Sequence, residues 1–200
     1  MLRPQLPQFI TFYVIALQLA GIKAAKAPHI AISFDVKCYT FDRTVVSNFN
    51  CSLVPDRYGL PLWNLNFTAT KDLSDVDFRF KFLVERGGKY RTTIAMNFDF
   101  CREWADLKSH MLLRFMAKET SRVSNLQCPL KKNIRYYLEN YNTSAFPVPS
   151  YVPELKYKTI ADFFINKNRA CMVEIQGIIV PATTENIKKS LRQLKSANFP

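Results

Sequence analysis

Residues 75–100 read DVDFRFKFLVERGGKYRTTIAMNFDF, and their alternation decides the fold class. Val76, Phe78, Phe80, Phe82 and Val84 fall on every second position, with Asp77, Arg79 and Lys81 between them. Successive side chains of an extended chain point to opposite faces, so this is a strand with one apolar and one charged face. Arg86-Gly87-Gly88-Lys89 follows, and two glycines tolerate the positive φ of a tight hairpin turn. The returning strand alternates through Tyr90, Thr92, Ile94, Met96, Phe98 and Phe100. A charged face beside a Phe-rich one implies an antiparallel sheet that is covered on one side only.

The same period recurs outward from this hairpin. Over 30–39, Ile30, Ile32, Phe34, Val36 and Cys38 share a face, and Ser33, Asp35 and Lys37 take the other. Over 46–54, Phe49, Cys51 and Leu53 point in, with Asn48, Asn50 and Ser52 out. Over 62–70, Trp63, Leu65, Phe67 and Ala69 point in, with Asn64, Asn66, Thr68 and Thr70 out. After Cys101 the period becomes helical: Trp104, Leu107, Met111, Leu112, Phe115 and Met116 form a stripe, predicting an amphipathic helix over 104–118. Strand character resumes over 133–140. Pro147, Pro149 and Pro153 then mark an extended loop, and 157–165 with 170–180 form a last hairpin around Asn166-Lys167-Asn168. About eight strands with one helix after the fifth predict a mainly β protein, a two-sheet antiparallel β-sandwich over 28–180. The tail over 181–200 is basic, and a helix this short is marginal alone, so it is expected to be disordered.

The first residues carry a basic Arg3, an apolar run from Phe9 to Ile22, and small residues at Gly21, Ala24, Ala25 and Ala27. This order is that of a cleavable signal peptide over 1–24, with the cut between 21 and 27. The run is shorter than the roughly 20 residues of a membrane span. An exported chain with five cysteines is expected to form disulfides. Cys38 and Cys51 lie on inner faces of successive strands, Cys101 and Cys128 bracket the helix, and Cys171 is left as a buried thiol. A rival pairing, Cys38 with Cys171, stays open. Asn50, Asn66 and Asn142 begin Asn-x-Ser/Thr sequons and are the expected glycosylation sites.

The chain has 28 Lys and Arg against 16 Asp and Glu. Removing Arg3, Lys23 and Lys26 with the leader still leaves it strongly basic, which suits anionic lipid headgroups, acidic glycans or cell surfaces. Nucleic acid is not expected as a partner of an exported protein. Nothing assembles a catalytic constellation. His29 and His110 are the two histidines and lack motif company, Asp75 and Asp77 read as a solvated charge cluster beside Arg79, and Gly87-Gly88 is a turn rather than a phosphate loop. Asp99, at the strand-to-helix junction, is expected to be structural. No cofactor or metal is expected, since Cys-x-x-Cys and Cys/His ligand spacings are absent.

Several motifs resemble a family of small secreted insect proteins defined only as a domain of unknown function, number 1091. They are Val36-Lys37-Cys38, Cys51-Ser52-Leu53, Asn97-Phe98-Asp99-Phe100-Cys101, Cys128-Pro129 and Val173-Glu174-Ile175-Gln176-Gly177-Ile178. The resemblance would cover about 32–180. That family is similar in outline to ML-type lipid-recognition proteins, β-sandwiches whose sheets part around a lipid. The resemblance therefore implies an ML-like or immunoglobulin-like sandwich and, in some relatives, a chemosensory role. It also implies that Cys171 is an addition to a four-cysteine pattern.

Two functions follow as expectations. The first is a secreted, non-enzymatic binding protein for a lipid or other apolar small molecule, with Phe34, Phe49, Trp63, Phe67, Phe78, Phe80, Phe82, Met96 and Phe98 lining the space between the sheets. The alternative is an extracellular interaction module with a solid core that meets a receptor, glycan or anionic surface.

Overall fold

The alternating stretches form eight strands in a computed structural model that describes residues 28–105, 118–145 and 148–196. They are β1 (His29–Thr40), β2 (Val46–Pro55), β3 (Pro61–Ala69), β4 (Asp77–Arg86), β5 (Lys89–Asp99), β6 (Arg135–Tyr141), β7 (Leu155–Ile165) and β8 (Asn168–Pro181). The expected leader, His110 and residues 106–117 of the expected helix lie outside the described residues. Helical residues flank that gap, as α1 (Phe100–Ala105) before it and over 118–123 after it.

The strands build two antiparallel sheets, one of five strands in the order β1-β8-β7-β4-β5 and one of three in the order β2-β3-β6. The two-sheet, mainly β architecture is thus the one expected. The turns are chemically apt. Gly87 and Gly88 take φ of 58° and 74° between β4 and β5, and Asn166 and Lys167 take 51° and 66° between β7 and β8. Both are two-residue turns whose backbone matches the twist of the hairpins. At the end of β5 the Arg102 backbone N–H donates to Asp99 Oδ1 at 2.8 Å, so Asp99 caps α1.

Three expectations are corrected. In β1 the pairing with β8 slips between Ser33 and Asp35, making Phe34 the extra residue of a bulge. A one-residue slip exchanges the faces of a strand. Upstream of the bulge Ala31 and Ser33 therefore point inward, while Ile32, opposite Ile178, takes the outer face and is still only 1% exposed. In β5 a second slip, opposite Phe82 and Leu83, turns Thr92 and Tyr90 to the outer face. There the Lys158 ammonium sits 5.1 Å from the Tyr90 ring. Third, the tail is ordered as helix α2 (Thr184–Ser196), its first turn held by the Asn186 N–H on Thr183 Oγ1 at 3.2 Å. Tertiary contact supplies what a short helix lacks alone. Asn186 and Lys189 of α2 form a pocket of about 290 Å³ with Leu155, Lys156, Ile178 and Val180 of β7 and β8.

The main core lies where the small sheet covers the large one. Val46, Phe49, Leu65, Ala69, Tyr136 and Leu138 of the small sheet meet Ile165, Ala170, Cys171 and Val173 of the large one. The Cys38–Cys51 disulfide ties β1 to β2 across this half, and Cys101–Cys128 ties α1 to the segment before β6. The rival Cys38–Cys171 bridge does not form, because β8 places Cys171 opposite Thr40 and Val173 opposite Cys38. Burial, with Asp162 adding to it, pushes the Cys171 thiol up to about 12, so it stays protonated at neutral pH.

Candidate functional site: an open aromatic wing

The five-stranded sheet is wider than the sheet that covers it. Between Asp77 and Asp99 only Val84 is buried, and it lies outside the main core, so β4 and β5 form a wing beyond the edge of the small sheet. Their inner face carries the densest apolar row of the chain. The register sets Phe78 opposite Phe98, Phe80 opposite Met96, and Phe82 opposite Ile94. On the other flank, β7 brings Phe163, Ala161 and Thr159 beside Phe78, Phe80 and Phe82.

Phe78 is the hub, with ring centroids at 4.8 Å to Phe98, 5.0 Å to Phe163, 6.2 Å to Phe100 and 6.4 Å to Phe80. Toward the turn, Phe82 stacks on Tyr157 at 5.5 Å and an interplanar angle of 17°. Yet Phe78, Phe80, Phe82, Met96 and Phe98 all remain part-exposed, and Ile94 is 41% exposed. In the covered half Phe49 and Leu65 are each 9% exposed and Ala69 is 0%. The inner row of the wing holds no ionisable side chain; Arg79 and Lys81 occupy the opposite phase, and the Arg79 guanidinium lies 3.9 Å from the Phe164 ring centroid. Such a face can hold apolar surface by dispersion and water release, and it offers no nucleophile or general base.

A buried polar cluster bounds the wing. The Tyr157 ring lies across Gly177, the only residue type that leaves it room, since a β-carbon there would overlap the ring and the Ile32 carbonyl oxygen. The Tyr157 hydroxyl sits 3.1 Å from Ser33 Oγ, which is also 3.1 Å from Thr143 Oγ1. Burial, partly offset by the Ser33 hydrogen bond, pushes the Tyr157 phenol up to about 12. Sequence reasoning missed Ser33, Thr143 and Tyr157. An isolated Gly177 inside an apolar strand was the one signal of a close approach there.

The nine residues expected to line a space between the sheets divide. Phe78, Phe80, Phe82, Met96 and Phe98 come together on the wing. Phe49, Trp63 and Phe67 sit in or against the packed core, where Phe67 stacks on Tyr136 at 5.3 Å and meets Phe49 at 6.3 Å. Phe34 joins neither group, because it occupies the β1 bulge. Of the sequon residues, Asn50 is exposed while Asn66 and Asn142 are half-buried; Asn50 and Asn66 stand directly opposite each other on β2 and β3. The Ser144 N–H and hydroxyl both donate to Asn142 Oδ1, at 2.9 and 2.6 Å. His29 is 8% exposed with its Nδ1 unpartnered, and Asp75 accepts from the Ser74 hydroxyl at 2.9 Å in an exposed position. Among the described residues no group of His, Cys, Asp and Glu is arranged to hold a metal ion, and no helix is long and apolar enough to cross a membrane.

Residues 76–159 match the model of DUF1091, described as a protein of unknown function. The resemblance to that family is thus found from the start of β4 into β7, a narrower span than the motifs implied. Asn97 to Cys101 and Cys128-Pro129 fall within it, whereas Val36 to Cys38, Cys51 to Leu53 and the β8 motif fall outside. No curated protein matches the chain. Among solved structures, the chain is similar to a Niemann-Pick type C2 protein from Japanese carpenter ant, at 15% identity and a TM-score of 0.32, over 76% of this chain and 93% of that one.

Proposed function

We propose that this chain is a secreted, non-enzymatic binding protein for a lipid or other apolar small molecule, held against the inner face of β4 and β5. The half-exposed aromatic row carries this reading. Five large apolar side chains and Ile94 share one uncharged face that the small sheet does not reach. An exposed apolar face of this kind marks a binding site more often than a structural accident. Export is supported by the residue order over 1–24 and by two disulfides. Glycans are assigned to Asn50, Asn66 and Asn142, and mass loss on enzymatic deglycosylation counts them. The family resemblance makes chemosensory apolar molecules the first ligands to try.

The test is native mass spectrometry of protein made through a secretory pathway, before and after organic-solvent extraction. Loss of a lipid-sized mass, and its absence from a Phe80→Asp/Met96→Asp double variant that remains folded, is the expected result. A protein that stays empty after incubation with a broad lipid extract sinks the proposal. It would favour instead a solid-core module acting through its basic surface, whose binding weakens with salt.

A further inference from the structure

Trp63 lies on the inward phase of β3, between Leu53 of β2 and Tyr141 of β6, and its ring meets Tyr141 edge-on at 5.4 Å. Its indole nitrogen is buried and has no hydrogen-bond partner. An indole N–H can only donate, and buried donors are almost always satisfied, so an orphan in the interior calls for an acceptor from elsewhere.

The polar groups near this end of the small sheet are already engaged. Burial raises the Tyr141 phenol, and the Thr120 side chain beside it opposes that shift. Two residues after Tyr141, Thr143 enters the hydroxyl cluster. There the three protons are all used when Tyr157 donates to Ser33, Ser33 to Thr143, and Thr143 to the Ala31 carbonyl at 3.5 Å. Tyr157 in turn stacks on Phe82, the first ring of the aromatic row, so side-chain contacts link Thr143, two residues beyond the Tyr141 that Trp63 touches, to the wing.

We infer that the ligand is an uncharged lipid with an accepting oxygen (hydroxyl, ketone or ester), and that the Trp63 N–H receives that oxygen. This rests on the apolar-binding reading above and names its ligand class. An anionic head is disfavoured. The cross-strand neighbours of Trp63 are uncharged, and the carboxylate of Glu119, which acts on Tyr141, is itself paired with Arg122 at 2.8 Å. A buried anion there would lack a counter-charge, and desolvation would oppose it. The other orphan, His29 Nδ1, donates or accepts according to tautomer and so does not discriminate between ligands.

The probes are 1-dodecanol, methyl laurate, n-dodecane and laurate, titrated into the intact glycoprotein. Wild-type protein should prefer the alcohol and ester to the alkane and to laurate. Trp63→Phe should lose about tenfold in affinity for the alcohol and ester, one neutral hydrogen bond, and leave alkane binding unchanged. The chain has two tryptophans, so in Trp104→Phe the single indole N–H resonance belongs to Trp63. That signal should shift with dodecanol and not with dodecane, a readout that does not need the Trp63 variant to fold. Laurate binding as tightly as the alcohol, or a Trp63 signal blind to bound dodecanol, overturns the inference while leaving the carrier reading intact. If none of the four probes binds, the carrier reading itself falls, and this inference with it.

Discussion

The two halves of this sandwich use nearly the same residues to opposite ends. In the half spanned by β2 and β3, Phe49, Leu65 and Phe67 alternate with polar residues, face an opposing sheet and are stapled by Cys38–Cys51. On the wing, Phe78, Phe80 and Phe82 alternate just as regularly, with Asp77, Arg79 and Lys81 between them, yet the small sheet ends at β6 and these rings stay part-exposed. Alternation tells which face is apolar, but strand count and sheet offset decide whether protein or something else covers it. Stability should therefore reside in the first half, and the apolar part of ligand affinity in the second.

Paired truncations test that division most severely. Leu65→Ala empties a site enclosed by the main core and should cost about 2–5 kcal/mol in urea unfolding, the usual range for a buried Leu. Phe80→Ala removes a larger side chain, but one already in partial contact with solvent and opposite the small Ala161. It should cost clearly less stability than Leu65→Ala and should reduce retention of apolar ligand. Equal destabilisation by both would mean that the wing is ordinary core.

The Cys38–Cys51 bridge offers the next comparison. It closes a short loop, with a sequence separation of 13, and ties β1 to β2. Replacing both cysteines with Ser should cost about 3 kcal/mol by the loop-entropy argument. Retention of dodecane, which needs only the aromatic row, by the residual folded protein should change little, since β4 and β5 lie at the opposite edge of the large sheet from β1. Loss of ligand in proportion to loss of stability would show the two halves to be one cooperative unit.

Much of this architecture was legible in sequence. The period-two pattern located every strand to within a few residues, the Gly87-Gly88 turn marked its hairpin, and the two disulfides in the structure join the cysteines first paired by strand phase and by the bracketing of the helix. The phase of β1 before Asp35 was not legible, because a bulge exchanges faces without altering the residue pattern. The order of α2 was not legible either, since it depends on nonlocal contact with β8 rather than on propensity. The aromatic row was read correctly as one face, but which of its members stay exposed depends on sheet width, which no local pattern encodes. The Ser33–Tyr157–Thr143 cluster joins residues more than a hundred positions apart and left only Gly177 as a trace.

That trace makes a prediction about the boundary between the halves. Gly177→Ala places a β-carbon into the Tyr157 ring and the Ile32 carbonyl, and the carbonyl belongs to a paired strand that cannot withdraw. Overpacking of this sort should cost about 1–3 kcal/mol. Because Tyr157 also stacks on Phe82, the displaced ring should disturb the wing as well. Tyr157→Phe removes only the hydroxyl and should leave the stack and the ligand affinity in place. A melting temperature unchanged in Gly177→Ala would mean that Tyr157 has another resting position.

The smallest effect expected is on the outer face of the large sheet, which neither half uses for its core. There Glu174 is partly buried, which by itself would raise its pKa. Hydrogen bonds from Lys158 (2.8 Å) and Gln176 (3.1 Å), with the Lys158 and Lys37 charges, outweigh that and hold it below the ordinary carboxylate value of 4.5. A carboxylate with a depressed folded pKa binds its proton more tightly in the unfolded chain. Its stabilisation is therefore complete above the unfolded value and is lost as pH falls through the folded one. Glu174→Gln should thus lower stability by no more than about 1 kcal/mol at pH 7 and remove part of the acid-side decline below pH 4.5. Ligand retention should not follow this titration, because Glu174 stands one position out of phase with Val173 and Ile175 of the inner face. Ligand release that tracks the same acid limb in wild type, and disappears in Glu174→Gln, would couple the outer face to the wing and show that the two are not independent.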